Sequence, residues 1–416
     1  MFKFRNPCAM RPAMPNNCFI SLFSGAGGLD LGLEEAGWVG RYASDLDPCA
    51  VDTLLVNRGF PMGSGAGFMA DAVVEQADVR RLSGKEILSK IGATRGEVPL
   101  LVGGPPCQSW SSAGRQKGFD DPRGRLFSDF VRLAEEFDVR WIMFENVRGL
   151  LTARGGDGRP GGALEAIRSQ LLRRGFQTGV SLVNAADYGV GQRRVRLIVF
   201  GYRTGDTFDF PAPTHSKVPD SKLALAPWLT LGQVLHGIEG PTEAEVVRPS
   251  GMLTIQMRDL VPGTGVKSPG KQETTRPGGH WGYKQGAFVT DPARAARTVT
   301  ASTQQDWLRD PHHGLRRLCP RECAAIQSFP ANWKFIGNRN DQYRLIGNAV
   351  PPMLGKAIGT GLLFHADRDH AGPIARTNLI PLPSGLASAI RYTEREEARN
   401  GASRRAAPDR RTKLVA

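Results

Sequence analysis

Cysteine is scarce in this chain: six of 416 residues, at positions 8, 18, 49, 107, 319 and 323. No two lie two residues apart, and Cys319 and Cys323 lack a partner pair. That excludes a disulfide scaffold and the usual zinc ligand sets, so reduced thiols and no metal are expected. No run approaches the roughly 18 apolar residues of a membrane span. Lys3, Arg5 and Arg11 resemble the start of a signal peptide, but no apolar core follows them. The expectation is a soluble, intracellular, membrane-free protein. Internal repeats are absent, and acids are in deficit: 54 Lys plus Arg against 40 Asp plus Glu leaves a formal charge of +14. Such a surface favours polyanionic partners.

What the chain does have is enough apolar residue, 40%, to bury a real core. At about 150 residues per domain its length allows two or three domains. The first two hundred residues alternate β-rich runs with amphipathic segments, the pattern of a parallel sheet wrapped by helices. Strands are expected at Cys18–Phe23, Gly40–Ser44, Leu100–Val102, Trp141–Phe144, Val180–Asn184 and Arg196–Phe200. Helices are expected at Leu29–Ala36, Pro48–Val56, Gly84–Ile91, Arg125–Glu136 and Ala163–Arg174. After Tyr202 the chain turns rich in Pro, Gly, Thr and Ser, which suggests an inserted, loop-rich domain. Helical texture returns at Pro320–Gln327 and Pro352–Phe364. The division expected is an N-terminal extension (1–16), the first part of a catalytic domain (17–203), an insert (204–294), a return to the first domain (295–365) and a basic tail without fixed structure (366–416).

Chemistry concentrates where strands end. The first strand runs into FSGAGGLDLGL, a glycine-rich turn opening a helix, and about twenty residues past Gly25 the second strand ends at Asp45 and Asp47. Glycine lets a ligand approach the backbone, and an acid at the second strand tip can take both hydroxyls of a ribose. The spacing is GxGG and not GxGxxG, so an adenosyl ligand without phosphate fits as well as a dinucleotide. Asp78, read as following a helical stretch, is either a third contact or simply a helix cap.

The third apolar run delivers GGPPCQSWS, placing Cys107 at the carboxyl edge of the sheet, where open α/β folds bind ligands. A lone cysteine is more often a small buried hydrophobe than a nucleophile, but the next strand, WIMFENVRGL, brings Glu145 and Asn146 to the same edge, where a carboxyl can hold or donate a proton. QRRVR then opens a further strand whose alternation puts Arg194 and Arg196 on one face.

In this order FSGAGGLDLGL, GGPPCQSWS, FENVRGL, QRRVRLIVFG and IGNAVPP resemble the DNA cytosine-5 methyltransferases of prokaryotic type, over roughly residues 17 to 203 and 294 to 364. The resemblance implies an α/β, Rossmann-like methyltransferase fold with S-adenosylmethionine as methyl donor and a smaller target recognition domain inserted between the QRRVR and GNAVPP motifs. It implies Cys107 as nucleophile, Glu145 as the acid meeting the cytosine ring, Asn146 as the residue fixing the Glu145 loop, and Arg194 and Arg196 as cations that position the base and activate the thiol. For the cofactor it implies Phe23, Gly25, Gly27, Asp45, Leu46, Asp78, Val79, Pro105, Leu126, Asn348 and Val350. Asp45 departs from the more usual Glu, and Trp110 from the more usual Phe.

The function expected is sequence-specific methylation of a flipped-out cytosine in double-stranded DNA, by an enzyme acting as a monomer in the cytoplasm on the nucleoid, with or without a restriction endonuclease reading the same site. The alternatives are an RNA cytosine-5 methyltransferase and a catalytically silent DNA-binding relative. An NAD-dependent dehydrogenase would explain the glycine turn alone. From residue 203 to 318 there are 14 basic and 11 acidic residues, 14 − 11 = +3, so the insert carries little of the charge excess and should read bases more than it attracts phosphate. Arg258, Arg276 and Gln256 are candidates for that reading.

Overall fold

The computed structural model describes residues 14–63, 65–106, 125–203, 210–218, 224–270, 286–367 and 378–406. Cys107 and its loop, and Arg276, lie outside the described residues.

Seven strands form the central sheet: β1 (Cys18–Leu22), β2 (Val39–Asp45), β3 (Val73–Gln76), β4 (Leu100–Gly103), β5 (Trp141–Val147), β6 (Gln177–Asn184) and β7 (Val195–Tyr202), in the order β3-β2-β1-β4-β5-β7-β6. The first five run parallel, while β7 is antiparallel to both β5 and β6. The sheet is therefore mixed and not wholly parallel. The short gap after Asn184 makes the reversal necessary, because about ten residues, carrying only one 3-10 turn, cannot hold a crossover helix. β1 sits between β2 and β4, the switch point outside whose carboxyl ends such sheets bind ligands.

Both faces of the sheet are covered, which is why its strands read as nearly continuous apolar runs. Side chains alternate between two cores: Phe19, Leu100, Val102 and Met143 face one, and Ile20, Leu101, Ile142 and Phe144 the other. The first core is closed by α1 (Gly28–Glu35) and α2 (Pro48–Val56), and the second by α3 (Gly84–Lys90), α4 (Arg125–Phe137) and α5 (Gly162–Leu172). β3 was not visible in the sequence, since only Val73 and Val74 of its four residues are apolar and none is fully buried.

A smaller unit follows, with β8 (His215–Ser216), β9 (Ala226–Pro227), α6 (Leu231–Leu235), α7 (Met252–Met257), β10 (Thr264–Gly265), β11 (Phe288–Val289), β12 (Trp307–Asp310) and β13 (Gly314–Arg317). The sheet β10-β11-β12-β13 continues to Arg317, past residue 294, where the change of texture suggested the return. Trp307 packs with Met257, Leu260 and Val289 in a separate small core, so β12 belongs with the insert. The chain then passes through α8 (Pro320–Ile326), α9 (Arg339–Asn348) and α10 (Pro352–Asp367), the last packed along α1.

The tail is not without structure. Ser384–Ala406 form α11, and Leu386, Ala389 and Ile390 pack on the second core. The lead-in is tied down by Gln177 Nε2 donating to the Asn378 carbonyl at 2.9 Å and by the Arg168 guanidinium on the Ile380 carbonyl. The apolar residues at 386, 389 and 390 recur at helical spacing, a signal hidden in the sequence by the arginines around it. No helix among the described residues is long and apolar enough to cross a membrane.

Candidate active site

At the carboxyl end of β1 the chain turns through Phe23 (φ 57°) and Gly25 (φ 55°) before α1 begins. A left-handed non-glycine residue is strained, and strain held this firmly favours a functional turn. Gly25 donates its N–H to Asp45 Oδ2 at 2.9 Å, and Asp47 N–H donates to Asp45 Oδ1 at 2.9 Å. The acid at the tip of β2 is thus locked to the turn at the tip of β1. Burial raises the Asp45 carboxyl pKa, opposed by the Gly25 and Leu46 N–H groups and by the charge of Arg344.

Glycine also lets the last motif reach the first. A Cβ on Gly28 would stand 2.2 Å from the Val350 carbonyl oxygen, so only a residue without one allows the GNAVPP segment to close over α1. Val350 is buried there, and Asn348, at the end of α9, is exposed beside it. Gly27 is the N-cap of α1, with φ 77°. An adenosyl ligand fits this edge: the space where a Gly25 side chain would stand is open for 4 Å, the Asp45 carboxylate is beside it, and Leu46 is 60% exposed at the strand tip.

Asp78 follows β3, a strand and not the expected helical stretch, and so reaches the same edge. Its carboxylate caps the next turn through Arg80 N–H at 3.0 Å and is held by the Arg80 guanidinium, which keeps its pKa below the usual range. The capping role is therefore real, and a ligand would have to share this oxygen pair with Arg80. Val79 is buried beside it, and Leu126, in the first turn of α4, is half-buried against the second core.

Beyond β4, Pro105 is buried, and its carbonyl accepts from Asn146 Nδ2 at 3.1 Å, while Asn146 Oδ1 accepts from Val147 N–H at 2.9 Å. Asn146 thereby joins the end of β5 to the segment that leads, two residues later, to Cys107. Glu145, one residue earlier, pairs with Arg196 Nε at 2.6 Å, and both side chains are 12% exposed. The register explains the meeting: Val147 lies opposite Arg196 across β5 and β7, so Glu145 is its diagonal neighbour on one face.

Arg194 does not join them. The strand begins only at Val195, and the Arg194 guanidinium is wholly buried, donating to the Val299 carbonyl at 3.0 Å and the Gly347 carbonyl at 2.7 Å. Burial lowers its pKa well below the ordinary arginine value. In this arrangement the guanidinium clamps the returning chain to the sheet, and Glu145 and Arg196 lie near enough to act on its charge. Gln192 works beside it, donating to Gln327 Oε1 at 2.6 Å and accepting from Val299 N–H at 2.9 Å. Alternation along a strand cannot distinguish a side chain facing a cleft from one facing a segment that folds back a hundred residues later.

Two further features were missed in the sequence. Arg344 of α9 pairs with Asp47, bracing the β2 tip from the last motif's side. Asp30 of α1 lies fully buried under the turn, near Ser21 and Ser24, and burial pushes its carboxyl pKa up to about 7. Its place in the apolar run LDLGL was the available signal.

The four described cysteines do not suit nucleophilic chemistry. Burial raises the thiol pKa of Cys18 to about 11 and of Cys319 to about 12, and it raises those of Cys323 and Cys49 as well. Among the described residues no cluster of three His, Cys, Asp or Glu could hold a metal.

Residues 18–363 match the family described as C-5 cytosine-specific DNA methylase. The chain is 32% identical over 364 residues to the type II methyltransferase M.NgoPII of Neisseria gonorrhoeae, covering 82% of this chain and 94% of that protein. It is 31% identical over 353 residues to M1.HphI of Haemophilus parahaemolyticus, covering 83% and 86%. Among solved structures it resembles a putative DNA modification methyltransferase encoded within an Escherichia coli prophage, with TM-score 0.59, 22% identity and coverage of 84% and 99%. It also resembles the Dnmt2 methyltransferase of S. pombe, with TM-score 0.55, 18% identity and coverage of 83% and 98%, the structural likeness bearing on the fold alone.

Proposed function

The chain belongs to the C-5 cytosine-specific DNA methylase family, and from that premise we propose that it methylates a cytosine flipped out of a specific double-stranded DNA site, through a covalent adduct with Cys107. The carrying observation is a set of three contacts that join the carboxyl ends of β1 and β2 and those of β4 and β5. The reading is supported by Glu145 on Arg196 where the base is proposed to sit, Asn146 on Pro105 ahead of Cys107, and Asp45 on Gly25 N–H where the cofactor is proposed to bind.

Carbon 5 of cytosine is too electron-poor to take a methyl group unaided. The Cys107 thiolate adds to carbon 6 while Glu145, held in place by Arg196, places a proton on ring nitrogen 3, which turns the ring into an enamine nucleophilic at carbon 5. S-adenosylmethionine, when bound, supplies an electrophilic sulfonium methyl. Loss of the carbon 5 proton to solvent and return of the nitrogen 3 proton to Glu145 then re-form the ring double bond and expel the Cys107 thiolate. Asp45, the open turn at Gly25 and exposed Leu46 would hold the adenosyl part, with Asn348 and Val350 closing from the last motif. Asp78 would contribute only by sharing its carboxylate with Arg80.

The target atom is stacked inside a duplex, so the base must leave the helix, at a cost of a few kcal/mol that protein contacts offset. The insert, with its small sheet, is the unit proposed to read the site. A monomer acting on DNA, alongside a restriction endonuclease as the type II relatives' names suggest, completes the reading.

Bisulfite sequencing of mixed-sequence DNA incubated with the protein and S-adenosylmethionine tests substrate, reaction and site together. Protected cytosines at one recurrent sequence are expected. Methylation of transfer RNA in the absence of any on DNA would replace this reading with the RNA one. In the same assay Cys107→Ser should lose on the order of 10⁴-fold or more in turnover, as removal of a nucleophile does, while still binding S-adenosylmethionine.

A further inference from the structure

Arg344 stands where the last motif meets the tip of β2. It lies in α9, the helix that ends at Asn348 just ahead of Val350. Its guanidinium pairs with Asp47, and its second terminal nitrogen donates to Asp341 Oδ1 at 2.9 Å on its own helix. α9 is anchored by other contacts: Tyr343 OH donates to the Leu318 carbonyl at 2.7 Å, Gln327 Nε2 to the Ile346 carbonyl at 2.6 Å, and Arg194 to the Gly347 carbonyl at 2.7 Å. Arg344 is therefore presented to β2 from a firm support, and its own bonds are not what holds the helix.

From Asp47 the path to the cofactor edge is short. Asp47 caps α2 by accepting from Cys49 N–H at 3.1 Å, and its own N–H donates to Asp45 Oδ1 at 2.9 Å, while Gly25 N–H donates to Asp45 Oδ2 at 2.9 Å. Each carboxylate oxygen keeps a further acceptor site, which leaves a pair for the two hydroxyls of a ribose. Exposed Leu46 stands between the two acids, so one three-residue tip serves both as the adenosyl edge and as the seat of Arg344. The neighbouring acids are Asp47 on the same tip, Asp30 on α1 and Asp341 beside Arg344 on α9. Burial raises the Asp45 carboxyl pKa, and Arg344 is the cation that opposes the rise.

We propose that Arg344 is a positioning residue for the methyl donor: acting through Asp47, it fixes the Asp45 carboxylate toward the ribose of S-adenosylmethionine and supplies the positive charge that this group of acids needs if Asp45 is to accept as an anion. The proposal rests on the reading of this edge as the methyl donor's site. A protonated Asp45 would give up acceptor capacity that the ribose hydroxyls require. With Arg344 in place the carboxylate stays ionised further toward acid, and without it the ionised fraction falls at low pH and returns as pH rises. The last motif would thus govern donor binding through charge at Asp45 as well as through the close approach of Val350 to Gly28.

The test uses the full chain without DNA and compares wild type with Arg344→Gln and Arg344→Lys. Calorimetry gives the Kd of S-adenosylmethionine from about pH 5 to about pH 8. Arg344→Gln should bind up to about tenfold more weakly at the acid end, the factor that belongs to one pKa unit. The gap should shrink as pH rises, and the donor's own titration cancels in the ratio to wild type. Arg344→Lys keeps the charge and should follow wild type. In the free protein the Asp45 carboxyl is followed by the NMR shift of its carboxyl carbon, assigned with Asp45→Asn, and its midpoint should lie about one unit higher in Arg344→Gln than in wild type. Equal affinities for wild type and Arg344→Gln would overturn the proposal. So would a loss that is the same at every pH with the Asp45 midpoint unmoved, which is what a merely structural clamp would give. Failure of wild type to bind S-adenosylmethionine at any pH would instead sink the parent reading, while the Asp45 midpoints would still decide what Arg344 does to that acid.

Discussion

The two halves of the sheet edge are built by different means. On the side proposed to take the cofactor, β1 and β2 are joined by a backbone N–H on a carboxylate, and the last motif reaches α1 only because Gly28 has no side chain. On the side proposed to take the base, β5 and β7 present charged side chains, and what matters is where a guanidinium points. Arg194 and Arg196 lie two residues apart, yet one bonds two carbonyls of the returning chain and the other bonds Glu145. The backbone-made half tolerates little change in shape, whereas the charge-made half depends on which side chain is present.

The sharpest way to break this comparison is Arg196→Ala. Glu145 would lose the 2.6 Å partner that orients it, and turnover should fall by about 10²–10³-fold, the usual cost of removing one preorganised charged contact. The fall should appear in kcat at saturating DNA, with S-adenosylmethionine binding by calorimetry unchanged. Wild-type kcat in this variant would mean that the pair is only structural.

Arg194→Met is the matched control and should show the reverse pattern. It leaves the Val299 and Gly347 carbonyls buried without their donors, which should cost about 2–4 kcal/mol of stability in urea unfolding. The variant that still folds at low temperature should retain most of its kcat. A large kcat loss with unchanged stability would return Arg194 to the catalytic group.

This contrast also shows what was legible in the sequence. The tips of β1, β2, β4 and β5 could be placed because apolar runs end there at glycines, prolines and acids, and the seven expected helices are present with their ends shifted by three residues at most. The direction of β7, the burial of Arg194 and the bracing of Asp47 by Arg344 depend on pairings across many residues that no local pattern encodes. α9 was hidden because its first turn is polar (Arg339, Asn340, Asp341), although Tyr343, Leu345 and Ile346 are buried. α11 was hidden by a composition that resembles a solvated tail. For β7, Arg194 and Arg344 the missing information was tertiary, whereas for α9 and α11 local polar composition masked a helical period.

The smallest expected effect probes the cofactor side through pH. Burial raises the Asp30 carboxyl pKa from 3.8 to about 7, so between those values the folded protein holds a proton that the unfolded chain has released. Stability from this group is therefore complete below pH 3.8 and is lost as pH rises toward and through 7. Between pH 6 and pH 8 the loss should be about 1.4 kcal/mol, one pKa unit's worth. Glu34, buried on the same helix and also raised to about 7, adds a similar decline. Asp30→Asn cannot ionise, so its urea stability should decline less steeply than wild type over that range by about Asp30's share. Because Asp30 lies under the turn that carries Gly25, the variant's affinity for S-adenosylmethionine should lose the same part of its pH dependence. Parallel stability curves for the two proteins would mean that Asp30 is already ionised at pH 6, with its charge met by the Ser21 and Ser24 hydroxyls.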